Sequence, residues 1–349
     1  MGKAKTSAKK MGLMELLEKD AAICAEGYLF ECERRGYLQA GAFVPEVVLD
    51  HPEVVTELHK EFVHAGSDIV EAFTYYGHRE KLRIIGKEHL LEPMNRNALE
   101  IAKKVADDTG TLLAGNLSNT NIYAPGDEKS KKDVRKIFDE QIAWAMEYGV
   151  DLFISETFSW ADEALISLEA MRATGVPTVV TLSVHQEAKT RDGYSIGEAM
   201  KKFEAAGADV VGLNCARGPS TMLPLLKEAR AAVKCHIAAL PVPYRTTPEQ
   251  PTMQSLKDPK STIRPFPTAL DPYTNTRYEI GDFTKAAHEM GVRYLGVCCG
   301  GGPHHIRAVA EALGRKPKAS KYSPDMSKHA FMGTDPTLKQ TNREFAERL

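Results

Sequence analysis

Cysteine is scarce in this chain, with six in 349 residues. That is too few for a disulfide-stapled scaffold and fits a protein of the reducing cytoplasm. Long apolar runs are missing as well, and none approaches the roughly 20 residues that cross a bilayer. Neither sign of charge dominates: the formal net charge is -2, so neither nucleic acid nor a membrane surface is expected as a partner. The opening stretch "MGKAKTSAKKMG" carries lysines but no apolar segment behind them. It does not read as a secretory signal and is expected to be a short disordered lead over 1–12. The rest, 43% hydrophobic and 26% charged, is the composition of a globular protein with a large core.

Short β-rich runs recur along that core: 21–29, 67–75, 111–118, 151–158, 177–185, 208–215, 235–242 and 292–299. Most are continuous apolar runs rather than alternations, the pattern of strands buried on both faces. Amphipathic helical patterns lie between most of them. One puts Val54, Leu58 and Phe62 on a stripe; another does so with Val134, Phe138, Ile142 and Ala145. Gly66, Gly149, Gly175, Gly207 and Gly291 stand where helices should stop before the next strand. Eight such units predict a (β/α)8 TIM barrel over 13–315, with an open doubly wound sheet as its rival. Residues 241–281 hold eight prolines and no periodicity, which predicts a long loop after strand 7, over the barrel mouth. The tail from 316 to 349 is lysine-rich and then weakly helical. It either frays or packs on a neighbouring subunit, and a homo-oligomer is the expectation carried forward.

Barrel enzymes carry their chemistry at the C-terminal ends of strands. Those ends supply Glu26, Tyr28, Tyr75, Tyr76, Asn116, Glu156, His185, Cys215, Cys298 and Cys299. Half of the cysteines therefore fall at strand ends. Strands 6 and 8 are near neighbours in a closed barrel, so Cys215, Cys298 and Cys299 can converge across some 80 residues of sequence. Three thiolates suit zinc and leave a fourth position open for substrate; a vicinal disulfide and plain core packing are the alternatives. Cys24, Cys32 and Cys235 read as small core residues. Pro303 fits the first turn of a helix, where His304 and His305 are either solvated or support the cysteines from behind. Tyr28, Phe43, Tyr75 and Tyr76 either fill the mouth or box a quaternary ammonium by cation–π contact.

The motifs "GLNCARGP", "YLGVCCGGGPHHIRAVAEAL", "RRGYLQAGAFVPEVVLDHPEVVTELHKEF" and "AFTYYGHREKL" resemble the betaine–homocysteine S-methyltransferase branch of the homocysteine methyltransferase family. The resemblance runs from about 13 to 315. It implies zinc (Zn2+) on Cys215, Cys298 and Cys299, homocysteine's amino group on Glu156, and the methyl donor against Tyr76. The expected reaction moves methyl from a betaine-like onium donor to the homocysteine thiol, giving methionine. Three departures fall in the ligand pockets. Ala25-Glu26 stands where the family has Asp-Gly, so that Glu26 either does the aspartate's work beside Gly27 or repels an amino-acid carboxylate. Phe43 replaces a tryptophan, and Thr157 replaces a tyrosine. The alternatives are therefore a sulfonium donor such as dimethylsulfoniopropionate or S-methylmethionine, a different thiol acceptor, or a zinc- or onium-binding protein without turnover.

Overall fold

The structure, a computed structural model, describes residues 10–349; of the lead expected over 1–12, residues 1–9 lie outside the described residues. Eight strands run parallel: β1 (Ala22–Ala25), β2 (Ile69–Glu71), β3 (Leu112–Ser118), β4 (Leu152–Phe158), β5 (Thr178–Leu182), β6 (Val210–Asn214), β7 (His236–Leu240) and β8 (Val292–Val297). Each pairs with its neighbours in sequence. β1 also pairs with β8, in a register running from Ala22↔Tyr294 to Ala25↔Val297. That last pairing closes the sheet, so the fold is the (β/α)8 barrel rather than the open sheet.

Every strand residue except Thr157, His236 and Arg293 is buried. Helices cover one face and inward side chains fill the other, which is why the runs are continuous rather than alternating. The helix Pro52–Ala65 buries Val55, Leu58, His59, Phe62 and Ala65, a stripe turned slightly from the one read through Val54. The helix Glu128–Glu147 buries Val134, Phe138, Ile142 and Ala145 as expected. All five helix-ending glycines adopt left-handed dihedrals, where a side chain would be strained.

Several strands stop earlier than the apolar runs suggest. β1 ends at Ala25, and Tyr28 already opens the helix Tyr28–Arg34. β2 ends at Glu71, although the run continues to Tyr75. Ala72, Phe73 and Leu29 are buried without being in strands; hydrophobicity reported burial there, not extended backbone.

The long loop after β7 runs to the helix Arg277–Glu289 and is interrupted by single turns at Met253–Ser255 and Asp271–Tyr273. Hydrogen bonds to the neighbouring β6 loop hold it over the mouth: Val242 N–H donates to Arg217 O at 3.1 Å and Met253 N–H to Ala216 O at 2.7 Å. The tail carries short turns and the helix Gln340–Ala346. Among the described residues, Ala319 is its one buried hydrophobic side chain. No helix among the described residues is long and apolar enough to cross a membrane.

Candidate active site

Cys215 directly follows β6. Its φ of 55° and that of Ala216, 48°, turn the chain sharply. Cys215 N–H is tied to Leu240 O at 3.0 Å. Cys298 and Cys299 directly follow β8, and Gly301 N–H donates back to Cys298 O at 2.8 Å to close a tight turn. The three sulfurs lie within 4.8 Å of one another. Sulfurs bound at about 2.3 Å to one tetrahedral ion sit roughly 4 Å apart, so the set fits a soft metal with little movement. Cys215 is held well below the usual thiol range because Cys298 and Cys299 hydrogen-bond to it. Burial holds Cys298 up, and the bond from Cys215 holds Cys299 up. All six cysteines are free.

The cysteine turn is built on close backbone approach. A Cβ on Gly27 would lie 1.9 Å from Gly301 O, so the β1 and β8 loops touch main chain to main chain. Behind the turn, His305 is 1% exposed. Its Nδ1 accepts from Gly302 N–H at 3.1 Å, and Nε2 lies 3.4 Å from Asn275 O. Burial pushes its pKa down to about 3. It is a neutral support for the turn rather than a solvated helix start.

Below the sulfurs is a small pocket lined by Glu26, Tyr28, Glu71, Asn116, Glu156 and Cys298 among others. Three buried carboxylates from different strand ends converge there. Asn116 Nδ2 donates to Glu71 at 2.5 Å and to Glu156 at 2.6 Å. Asn214 Nδ2 donates to Glu156 at 2.8 Å and to Glu26 at 3.1 Å, and lies 3.8 Å from Cys298 Sγ. Burial pushes Glu156 up to about 7. Burial and then the charge of Glu156 raise both Glu26 and Glu71. Among the described residues, Glu26 Oε1 and Glu71 Oε2 have no hydrogen-bond partner, and no lysine, arginine or histidine lines the pocket. Such a site suits a cationic group. Glu71 and Asn214 are absent from the strand-end reading. Glu71 escaped because strand 2 was read four residues too long, and Asn214 sits unremarked inside "GLNC", one residue before Cys215.

Above the sulfurs opens a chamber of about 500 Å³, lined by Phe43, Tyr75, Tyr76, Thr157, Cys215 and Cys299 and walled further out by Trp160, His185, Arg191, Met253 and Phe266. The Tyr75 and Tyr76 rings meet at 4.3 Å between centroids. Lys81 Nζ stands 4.2 Å over the Tyr76 ring. Tyr28 is not in this chamber. It lines the lower pocket, edge-on to His59 at 4.8 Å and Phe62 at 5.3 Å. Trp160, Arg191 and Phe266 come from loops, where no periodicity marks them.

A barrel mouth holding a thiol cluster between an acidic pocket and an aromatic chamber defines an enzyme whose chemistry centres on sulfur. The family described as Homocysteine S-methyltransferase matches this chain over residues 23–313. Betaine--homocysteine S-methyltransferase 1 of Mus musculus is 35% identical, over 93% of this chain and 80% of that protein. S-methylmethionine--homocysteine S-methyltransferase BHMT2 of Pongo abelii is 32% identical, over 97% of this chain and 93% of that protein. Among solved structures, the metallated form of the homocysteine methyltransferase MmuM from Escherichia coli has a TM-score of 0.65 at 17% identity, over 85% of this chain and 98% of that one; it shares the fold. The chain belongs to the homocysteine S-methyltransferase family and is a methyltransferase.

Proposed function

We propose that the protein moves a methyl group from a betaine-like onium donor to the thiol of homocysteine, giving methionine, with zinc held by Cys215, Cys298 and Cys299. The observation that carries this reading is the position of the three sulfurs, between a pocket of unpaired carboxylates and an aromatic chamber. Zinc, when bound, would keep the acceptor sulfur deprotonated at neutral pH. Glu156, with Glu26 and Glu71, binds the α-ammonium of homocysteine from below, and Asn116 and Asn214 fix their orientation. Backbone N–H groups near Gly27 take the amino-acid carboxylate. Tyr75, Tyr76 and Phe43 face the onium methyls, each contact contributing roughly 0.5–2 kcal/mol.

In the transfer, a sulfur–carbon bond forms as the carbon–onium bond breaks. The electron pair leaves with the nitrogen or sulfur, which departs neutral. No general acid is needed and none is assigned. Cation and thiolate annihilate charge, so exclusion of water from the site would favour the step. With Thr157 in place of a tyrosine and Phe43 in place of a tryptophan in the chamber lining, a sulfonium such as dimethylsulfoniopropionate or S-methylmethionine is the second reading of the donor.

The free cysteines support a reducing cytoplasm as its location. The exposed Met326, Phe331, Met332 and Phe345 of the tail support a second copy of the chain as its partner. The test is methionine formation from homocysteine by the zinc-replete protein across a panel of ammonium and sulfonium donors. At least one onium donor should yield methionine in competition with the others. Absence of methionine with every donor would overturn homocysteine as the acceptor.

A further inference from the structure

The upper chamber is not electrically uniform: its lining includes Arg191, whose guanidinium makes no hydrogen bond or ion pair among the described residues. Arg191 sits in the loop between β5 and the helix Ile196–Ala205, with its guanidinium carbon 4.6 Å over the Trp160 ring. Trp160 in turn is fixed edge-on to Tyr123 at 5.7 Å. The backbone beneath is pinned: Arg191 N–H donates to Ser159 O at 2.8 Å. The adjacent Asp192 accepts from Ala161 N–H at 3.1 Å and Asp162 N–H at 2.8 Å.

Carboxylates nearby already have partners. Asp162 is taken by Lys202 at 2.8 Å, and Glu163 accepts from Thr120 N–H at 2.8 Å and from its hydroxyl at 2.6 Å. The Arg191 guanidinium itself makes no hydrogen bond or ion pair among the described residues, yet it lines the same chamber as Tyr75, Tyr76, Cys215 and Cys299. An arginine held over an indole ring by cation–π contact presents a planar fork of donors suited to a carboxylate. The chamber thus has a thiolate-forming floor and, on a wall it shares with the hydrogen-bonded Glu163, a cation without an ion-pair partner among the described residues.

Resting on the donor-to-thiol reading above, the geometry points to Arg191 as the residue that binds the carboxylate of the methyl donor and selects donors that carry one. The onium methyls lie toward Tyr75, Tyr76 and the sulfurs, while the carboxylate pairs with Arg191 at the far wall. An onium compound with no carboxylate gains nothing from Arg191 and is repelled by it. Arg191 is a specificity residue remote from the reacting atoms, so it acts on donor binding more than on the rate at saturation.

The experiment compares dimethylsulfoniopropionate with ethyldimethylsulfonium, the same sulfonium without the carboxylate, in the native protein, Arg191→Met and Arg191→Lys. Steady-state kcat/KM with homocysteine is measured together with calorimetric donor affinity in the methionine-saturated protein, where no transfer can occur. Native protein should prefer the carboxylate donor. Arg191→Met should lose that preference by tenfold or more, through KM and Kd, leaving ethyldimethylsulfonium unchanged or improved. Arg191→Lys should recover part of it. Equal effects on both donors, no effect on either, or binding of neither would overturn the assignment. If the calorimetric preference and its loss are seen but no methionine forms, Arg191 stands as the carboxylate site and the methyl-transfer reading fails.

Discussion

Glu26 is the residue on which acceptor identity turns. It follows β1 where the resemblance leads one to expect glycine, and its Oε2 shares the Asn214 amide with Glu156 while Oε1 is left without a partner. Three carboxylates without a cation are costly to bury unless a ligand brings positive charge. With homocysteine as that ligand, both Glu26 and Glu156 face its ammonium. Removing one partner of a desolvated charge pair costs about 2–5 kcal/mol. Glu156→Ala and Glu26→Ala should therefore each lose well over tenfold in kcat/KM for homocysteine while keeping their zinc, as elemental analysis would show. A silent Glu26→Ala, or one that improves homocysteine use, would mean that Glu26 repels an amino-acid carboxylate and that the acceptor is another thiol.

At the scale of elements, the site depends on two loops that touch without side chains between them. Gly27 after β1 and Gly301 after β8 leave no room for a Cβ, since the one built on Gly27 meets Gly301 O at 1.9 Å. Gly27→Ala must push the cysteine turn away. The expected result is a loss of about 1–3 kcal/mol, as for other overpacked sites, read as a lower Tm, together with zinc content falling below that of the native protein. Unchanged Tm and zinc would show that the loops are free to part. The eight strands were legible because burial on both faces makes each a continuous apolar run. The meeting of Cys215 with Cys298 and Cys299 was legible because β6 and β8 flank β7. Strand ends were not legible, because Leu29, Ala72 and Phe73 stay buried after the backbone has turned. That hides Glu71, and of the aromatics expected at the mouth Tyr28 shares a pocket with Tyr75 but not with Tyr76 or Phe43. Trp160, Arg191 and Phe266 belong to irregular segments whose course is set by local hydrogen bonds, such as those of 190–194, which leave no period in the sequence.

For the whole molecule, the buried carboxylates tie stability to pH in an unusual direction. A carboxyl whose folded pKa is raised keeps its proton in the folded state after the unfolded chain has released it. The stability it contributes is present at low pH and lost as pH rises through the folded value; for Glu156 that window runs from 4.5 to about 7. His59, His78 and His305 act oppositely: burial pushes them down to about 3, 4 and 3, so their contribution is lost as pH falls below the ordinary histidine value. The informative quantity is therefore the Tm difference between Glu71→Gln and the native protein, both without substrate. It should be near zero at pH 5 and grow in favour of glutamine toward pH 8, because Glu71 is raised by burial and then by Glu156. A difference that is flat with pH would mean that Glu71 is not strained by its surroundings. The central claim is that Cys215, Cys298 and Cys299 hold the zinc on which homocysteine is activated. X-ray absorption at the zinc edge tests it most directly, by counting sulfur neighbours in the zinc-loaded protein before and after homocysteine is added. The account predicts three sulfurs rising to four, and fewer than three, or no zinc, in Cys298→Ser. A sulfur count that does not rise with homocysteine, or that stays at three in Cys298→Ser, would contradict it.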